Sequence, residues 1–353
     1  MNVSCWWLVL SVSSCLFSLN YYNKNRLAAA TLLYTLLSAI SVMAVNKYAH
    51  APESIHVVLM STSLWGLLSV FSVVFISEWI HKKEIINIEN AFCVATFLNA
   101  CLVIFNAIFF PVSIGNHGYT GFLLNASMNG CLIALGAGIA INKKMWGGLL
   151  LIVLAVTLSL SSVPIGVLCV VVGAYLICHF RGKEALKYIG ATAVLTLICG
   201  VISSGKHLFD SAGRFEAYRI FMTEWLTRKM YFFGTGLGTF QAMSPQMQAK
   251  HGFMMEQTGY GHWWSSMHSD WLQCLFELGI FGLILYGCLF YKTLKTFYAR
   301  EEHVLFSVMS GIGAIALFNY PFRYSVFGVI AVYVVFRASD LKSKRAWHED
   351  FAG

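Results

Sequence analysis

The chain has 353 residues, of which 58% are hydrophobic and 11% are charged, and its mean hydropathy is +0.67. Soluble domains carry roughly 25% charged residues, so this composition excludes a soluble class and predicts a polytopic membrane protein. The formal net charge of +8 does not indicate nucleic-acid binding, because most basic residues lie in short loops between apolar runs, where they set membrane topology.

Eleven apolar runs are long enough to be transmembrane helices, which need about 20 mostly apolar residues each. The first run is not a signal peptide by pattern, because Met1–Leu10 carries no Lys or Arg. Only residues 161–163 separate the sixth run from the seventh, so this pair is either a helical hairpin or a single broken element. The predicted helices cover residues 3–20, 27–44, 56–79, 90–110, 120–141, 145–160, 164–180, 187–204, 271–291, 303–318 and 322–337.

The charges between these runs predict the orientation of the helices. Every odd-numbered loop is basic, whereas loops two, four and six contribute only Lys47. Because basic loops stay in the cytoplasm, we predict an all-α membrane protein with its N-terminus outside and its C-terminus cytoplasmic. The basic residues of the odd-numbered loops and of the tail are Lys24, Arg26, Lys82, Lys83, Lys143, Lys144, Arg181, Lys183, Lys187, Lys292, Lys295, Arg300, Arg337, Lys342, Lys344 and Arg345.

Residues 205–270 form the one long polar segment, and in this topology they fall on the outer side. Long loops cross the membrane largely regardless of charge, so the basic residues of this loop do not conflict with the orientation. Ionisable clusters at the edge of a bilayer indicate function, because they are unfavourable there. We therefore predict a single membrane domain, 1–353, in which this large outer loop carries the active site.

The first part of the loop, Ser211–Met230, is predicted to be an amphipathic helix on the membrane surface, with its aromatic side towards the bilayer. Arg214 projects onto the apolar face, and Arg219 lies at the edge of that face. Each is either a functional cation or a contact to lipid headgroups through snorkelling. The apolar face holds Phe215, Tyr218, Phe221, Met222, Trp225 and Leu226, and the opposite face holds Glu216, Thr223, Glu224 and Thr227.

A glycine-rich run, Phe233–Phe240, follows this helix. Its alternating glycines, Gly234, Gly236 and Gly238, permit close backbone approach and positive φ angles. Neither the spacing nor the context fits a dinucleotide-binding fingerprint. The alternative to a functional loop is a flexible turn.

His268 stands where the chain re-enters the membrane, and Asp270 follows two residues later. Histidine titrates near neutral pH, which suits a general base. Asp270 either fixes the tautomer of His268 or caps the returning helix at its N-terminus. The spacings between His251, His262 and His268 fit no compact metal-ligand pattern, so we expect no metal site.

The ordered set of motifs resembles the O-antigen ligase and O-antigen polymerase family of bacterial envelope glycosyltransferases. The close resemblance covers about a fifth of the chain. Many members place a Ser-Arg pair after the sixth helix, whereas residues 157–162 contain serines and no arginine. The motifs that carry the resemblance are Gly213-Arg214, Tyr218, Gly234–Phe240, His268–Gln273 and Glu277–Gly282, with Gly121–Ser127 as a further motif near the middle of the chain.

The resemblance implies an undecaprenyl-diphosphate-linked glycan as donor and transfer to a sugar hydroxyl at the outer face of the bacterial inner membrane. It implies His268 as the general base, and Arg214 as the first choice and Arg219 as the second choice for the cation that stabilises the departing diphosphate. Because the leaving group is already good, we expect a metal-independent enzyme without a cofactor. The expected substrate-binding residues are Arg219, Asp270, Lys206, Arg323, Gly236 and Gly238, of which Lys206, Arg219 or Arg323 would replace the missing arginine.

Three acceptor classes stay open: a second lipid-linked repeat unit for a polymerase, lipid A-core for a ligase, and Ser or Thr for a protein O-oligosaccharyltransferase. The short chain without an appended outer domain favours the first two, and the missing arginine slightly favours a polymerase. The expected partners are the donor, a glycan or lipid A-core acceptor, the bilayer and a chain-length regulator protein. The non-enzymatic alternative is a glycan flippase or other transporter, although transporters concentrate charge near the membrane midplane and these predicted helices do not.

Overall fold

The computed structural model describes residues 26–46, 88–110, 118–123, 125–180, 187, 194, 214–227, 231–253, 264, 266–323 and 325–351. These residues form helices and connecting turns and contain no strand, which confirms the all-α class for the described part of the chain. The helices are α1 (Arg26–Asn46), α2 (Ile88–Phe109), α3 (Ala126–Leu135), α4 (Ala137–Asn142), α5 (Trp146–Leu158), α6 (Ser162–Phe180), α7 (Arg214–Thr227), α8 (Thr239–Lys250), α9 (Asp270–Arg300), α10 (His303–Phe318) and α11 (Ser325–Phe351), with a 3₁₀ turn at Pro321–Arg323.

Three of the described helices, α2, α6 and α9, are long and apolar enough to cross a membrane. Shorter apolar stretches lie in α1, α3 with α4, α5, α10 and α11. These helices support the predicted membrane class. The predicted spans 3–20 and 56–79, and nearly all of 187–204, lie outside the described residues, so the count of eleven helices and their orientation stay predictions.

The described helices change one predicted boundary and resolve one open alternative. The helix predicted over 120–141 begins later, at Ala126, and consists of α3 and α4 with Gly136 in a right-handed helical conformation between them. The sixth and seventh predicted runs are two separate helices, since α5 ends at Leu158 and α6 begins at Ser162. Leu160 in the connecting turn has a φ of 50°, which no helix continues through.

Two compact units make up the fold. The first contains α1, α7, α8 and most of α9, and therefore most of the predicted site residues. The second contains α2 to α6 and α10. The first unit comprises Met1–His81, Phe209–Lys292 and Phe322–Ser339, and the second comprises Lys82–Leu208, Thr293–Pro321 and Asp340–Gly353.

In the second unit, α10 packs along α6, and α3 is buried against its neighbours. Two asparagine side chains hold the turn that leads into α3. The side-chain oxygen of Asn99 accepts the N–H of Phe122 at 2.9 Å, and that of Asn129 accepts the N–H of Leu123 at 3.0 Å. The described start of the motif Gly121–Ser127 is thus a turn in which amide side chains accept the backbone N–H groups of Phe122 and Leu123.

In the first unit, α7, α8 and the start of α9 surround an aromatic core. Phe221 and Phe240 meet edge to face with ring centroids 4.6 Å apart, and Phe240 and Phe276 do so at 5.4 Å. Aromatic rings prefer this geometry because the positive edge of one ring faces the negative face of the other. The buried core residues are Ala217, Ile220, Phe221, Trp225, Phe240, Met247, Phe253, Trp264, Met267 and Phe276.

Helix α7 is the described part of the helix predicted over 211–230, but its surroundings differ from the prediction. Phe221 and Trp225, predicted to face the bilayer, are buried in the aromatic core. Glu224, predicted to lie on the polar face, is only 1% exposed. The membrane-surface prediction is therefore wrong for these residues, because α8 and α9 cover the faces that a projection of one helix assigned to lipid and water.

Candidate active site around His268

Helix α9 is interrupted at Gly279, whose backbone angles (φ 68°, ψ −170°) are not helical. A break of this kind leaves helix carbonyl and N–H groups without partners inside the helix. Residues 231–236 satisfy these groups, since they run antiparallel to residues 276–281. The backbone N–H groups of Thr235, Gly236, Ile280 and Phe281 donate to the carbonyls of Phe276, Glu277, Tyr231 and Phe232, at 3.0, 2.7, 2.8 and 3.2 Å respectively.

The close approach of these two segments requires two of the glycines. Both Gly234 and Gly279 have a φ of 68°. A Cβ added to Gly234 would overlap the backbone of Glu277, and one added to Gly279 would overlap the carbonyl of Phe232. The predicted positive φ angles and close backbone approach are confirmed. The glycine-rich run is a hydrogen-bonded part of the fold and not a flexible turn.

Glu277 ties the start of α8 to α9. Its side chain is buried, and its carboxylate accepts the N–H groups of Gly238 at 3.0 Å and Phe240 at 3.2 Å. It also accepts the side-chain amide of Gln273 at 3.1 Å. The carboxylate therefore caps α8, which has no capping side chain of its own at Gly238.

The sequence pattern did not reveal the role of Glu277, although this residue begins the motif Glu277–Gly282. The available signal was its charge, since no other charged residue occurs between 271 and 291. A lone carboxylate in an apolar helix needs a partner. Which partner it has depends on the loop fold, which the sequence pattern does not show.

Helix α1 also reaches the break in α9. The hydroxyl of Tyr34 donates to the carbonyl of Leu278 at 2.6 Å. The hydroxyl of Ser38 accepts the N–H of Leu237 at 3.1 Å. Two segments that are distant in the sequence, α1 and α9, therefore hold the glycine-rich run in one place.

His268 lies in the turn that leads into α9, half-buried and with a left-handed φ of 49°. Its carbonyl accepts the hydroxyl of Tyr218, on α7, at 3.3 Å. Its ring lies against the ring of Trp264, with centroids 4.4 Å apart and planes at 66°. A non-glycine residue in this backbone region costs about 1–3 kcal/mol and persists only where its surroundings hold it. These contacts hold His268 in a half-buried position at the start of α9.

Asp270 is the first residue of α9, and its carboxylate accepts the backbone N–H of Phe322 at 2.9 Å. Ser269 caps the helix instead, since its hydroxyl accepts the N–H of Leu272 at 3.4 Å. The capping role predicted for Asp270 is therefore wrong, because Asp270 lies one residue too late in the chain. Its contact brings the backbone of Arg323, the last residue of the 3₁₀ turn, close to Asp270.

Arg219 is an exposed residue of α7, and its guanidinium forms a bidentate pair with Glu216 one turn earlier. The hydrogen bond from Arg219 lowers the pKa of Glu216, and the same bond raises the pKa of Arg219. Exposed pairs contribute little to stability, but this one occupies the guanidinium. Arg214 begins α7, and its side chain, that of Arg323 and the whole of Lys206 lie outside the described part.

An ion-pair cluster around the buried carboxylate of Glu224, which the sequence pattern did not reveal, joins α7 to the end of α8. The carboxylate of Glu224 contacts the Lys250 ammonium at 2.6 Å and Nε2 of His251 at 2.9 Å. A buried carboxylate requires such partners. Within the described ranges, no group of three or more His, Cys, Asp or Glu side chains is arranged to hold a metal ion.

Residues 147–287 match the family model described as O-antigen ligase. The matched segment is less than half of the chain, and it contains nearly all of α5, α6 to α8, the break in α9, and His268, but not Arg323. The match confirms the resemblance to the O-antigen ligase and polymerase family and implies a glycosyltransferase-like activity on glycan and lipid-linked substrates in a membrane. A comparison with curated proteins found no match to this chain.

Proposed function

We propose that this protein transfers a glycan from an undecaprenyl-diphosphate carrier to a sugar hydroxyl at the outer face of the bacterial inner membrane, in the assembly of surface polysaccharide. The match over residues 147–287 supports the reaction type. The apolar helices support a multi-pass membrane position. The alternating loop charges support a periplasmic loop, 205–270, within one membrane domain, 1–353.

The setting of His268 is the observation that carries the proposal. This half-buried residue is held in the turn immediately before a helix long enough to span the membrane. Imidazole accepts a proton near neutral pH, so it suits a base that takes the proton of the acceptor hydroxyl. The freed oxygen then attacks the anomeric carbon of the donor glycan. The bond from that carbon to the diphosphate oxygen breaks, and the diphosphate leaves with the electron pair.

The departing diphosphate needs cations close to the sugar. Arg214 remains our first candidate, at the start of α7. The contact of Asp270 with Phe322 favours Arg323 as the second, because it places Arg323 near the helix start that carries His268. Arg219 ranks lower because it already pairs with Glu216, and Lys206 is a further candidate.

Gly236 and Gly238 act in this proposal by shaping the loop. The N–H of Gly236 donates to the carbonyl of Glu277, and that of Gly238 donates to the Glu277 carboxylate. Asp270 likewise positions the 3₁₀ turn through Phe322. No metal takes part in the proposed reaction, because a polyprenyl diphosphate is already a good leaving group.

We place a second lipid-linked repeat unit slightly ahead of lipid A-core as the acceptor, and Ser or Thr of a protein behind both. The absence of arginine from residues 157–162 supports this order. A polymerase would work with a chain-length regulator protein, which we propose as a partner. One genetic experiment distinguishes the three acceptors, because each predicts a different outcome.

The experiment is a deletion of the gene followed by gel analysis of surface polysaccharides and glycoproteins. Single repeat units on the core indicate a lost polymerase, and accumulated lipid-linked polymer with no attached glycan indicates a lost ligase. Changed glycoproteins with normal polysaccharide indicate the protein-directed enzyme. If neither changes, the proposed function is wrong.

Complementation then tests the base. We expect wild type and His179→Ala to restore the glycan, since His179 is an exposed residue at the end of α6, in the other unit. We expect His268→Ala, at equal membrane abundance, to restore none. A normal glycan pattern in the His268→Ala strain would remove the base role.

A further inference from the structure

Trp264 is fixed to α8 through its main chain. The side-chain amide of Gln248 donates to the carbonyl of Trp264 at 3.1 Å and accepts the N–H of Trp264 at 3.2 Å. The hydroxyl of Ser244 donates to the same carbonyl and accepts from Gln248 at 2.7 Å. One amide side chain thus satisfies both backbone polar groups of Trp264, as a neighbouring strand would.

This clamp is rigid because its parts are buried. Ser244 and Gln248 are 0% exposed. Breaking one hydrogen bond there leaves a buried polar group without a partner, which costs about 1–3 kcal/mol. The helix that carries the clamp is itself held at both ends, by Glu277 at its start and by Glu224 at Lys250.

The clamped Trp264 contacts the imidazole of His268. The two ring centroids are 4.4 Å apart. The Trp264 residue is 4% exposed and belongs to the aromatic core, so it cannot move aside without opening that core. The backbone of His268 is held separately, by the hydroxyl of Tyr218. Trp264 therefore contributes to the direction of the His268 ring, whereas Tyr218 holds its backbone.

We infer that Trp264, clamped by Gln248, is a positioning residue that orients the imidazole of His268 for proton removal. This inference rests on the proposed role of His268 as the base. Trp264 acts through His268, so its loss leaves the base present but removes a contact that orients its ring. A misplacement of about 1 Å lowers catalysis by up to about 10²-fold without changing substrate binding. The loss of the clamp should therefore lower kcat and leave the KM for the donor unchanged.

The test measures kcat and KM on the full-length protein in lipid nanodiscs, with an undecaprenyl-diphosphate-linked glycan as donor. We expect kcat to fall by about 10- to 100-fold in Trp264→Leu and Gln248→Met, with the donor KM within about twofold of wild type. Trp264→Phe keeps a ring edge against His268 and should retain kcat within about threefold. Gln246→Met is the matched control, since Gln246 is an exposed residue of the same helix, and it should behave as wild type.

A second readout does not depend on turnover. Diethyl pyrocarbonate modifies accessible imidazoles, and mass spectrometry gives the rate at His268 relative to His251 in the same molecule. We expect this ratio to rise severalfold in Gln248→Met, because loosening of the clamp allows local opening around the His268 ring, and to stay unchanged in Gln246→Met.

Wild-type kcat together with a wild-type modification ratio in Gln248→Met overturns the positioning role. If Trp264→Leu does not accumulate in the membrane, Gln248→Met decides the matter by the same two measurements. Equal falls in kcat for Gln248→Met and Gln246→Met would show general damage to α8 and would also overturn it. Full activity of His268→Ala, in contrast, overturns the proposed base itself, so the two failures are distinguishable.

Discussion

The two candidate arginines Arg219 and Arg323 differ in their contacts and in their position relative to His268. Arg219 is exposed on α7 and is paired with Glu216 in a bidentate contact. Arg323 directly follows Phe322, whose N–H donates to the carboxylate of Asp270. Asp270 lies two positions after His268 in the chain. Position relative to the base therefore favours Arg323 as the residue that contacts the diphosphate. Sequence alone ranked Arg219 second to Arg214 and named Arg323 only as one possible replacement for the missing arginine.

We expect Arg323→Ala to lower glycan transfer by about tenfold or more, because a charge-assisted contact to phosphate contributes about 1.5–3 kcal/mol. Arg219→Ala is the matched variant and should stay within about threefold of wild type, since an exposed pair contributes little. Initial rates at a donor concentration below KM give the comparison. The reverse order of the two variants would assign the diphosphate contact to Arg219.

Among the helices, α9 departs most from a simple membrane span. Its two parts meet at Gly279, and residues 231–236 satisfy the backbone groups freed there. Irregular backbone at membrane depth is tolerated only where protein or water satisfies it. The glycine-rich run and the break in α9 are therefore one structural feature, formed from two parts of the sequence.

We expect Gly279→Ala to destabilise this feature by at least about 1–2 kcal/mol. The alanine would have to adopt the positive φ of this position, which is unfavourable for a residue with a Cβ, and its Cβ would overlap the backbone of Phe232. The readouts are the midpoint of thermal unfolding in detergent and the rate of glycan transfer, both of which should fall. Gly287→Ala is the matched control in the same helix, since a Cβ there meets nothing within 4 Å. A Gly279→Ala protein as stable and active as Gly287→Ala would contradict the account of the break.

Hydropathy predicts the helices but not their interruptions. The predicted run 303–318 has the bounds of α10, because both ends of that helix coincide with a change in composition. The break at Gly279 was not predicted, since its cause lies about 45 residues earlier, at Gly234. The functions of Glu277 and Glu224 were missed for the same reason, because their partners lie on other helices.

At the scale of the whole molecule, the loop charges make a testable statement about orientation. Alkaline phosphatase is active only outside the cytoplasm, so a fusion after Lys250, in the outer loop, should be active. A fusion after Lys144, in the fifth loop, is the matched control and should be inactive. Green fluorescent protein fused to the C-terminus should fluoresce. An active phosphatase after Lys144 would invert the topology and remove the periplasmic site.

The sequence predicts only in part which segments fold together with the large outer loop. The motif order placed Arg214, His268 and the glycines in one functional segment, and the match over 147–287 supports that grouping. The contact of Tyr34 with the break in α9 could not be predicted, because one tyrosine in an apolar helix has no distinguishing pattern. Surfaces between helices are set by side-chain shape, which periodicity does not encode.

The break at Gly279 also sets an order for biosynthesis. The ribosome makes residues 231–236 before residues 276–281, so the earlier segment must wait outside the membrane for its partner. While α9 enters the bilayer alone, the backbone groups at the break have no partner, and an uninterrupted helix is the more favourable form. Docking of the waiting segment then allows the helix to open at Gly279. A nascent chain therefore cannot complete the surroundings of His268 until α9, the helix that follows the large loop, has been inserted.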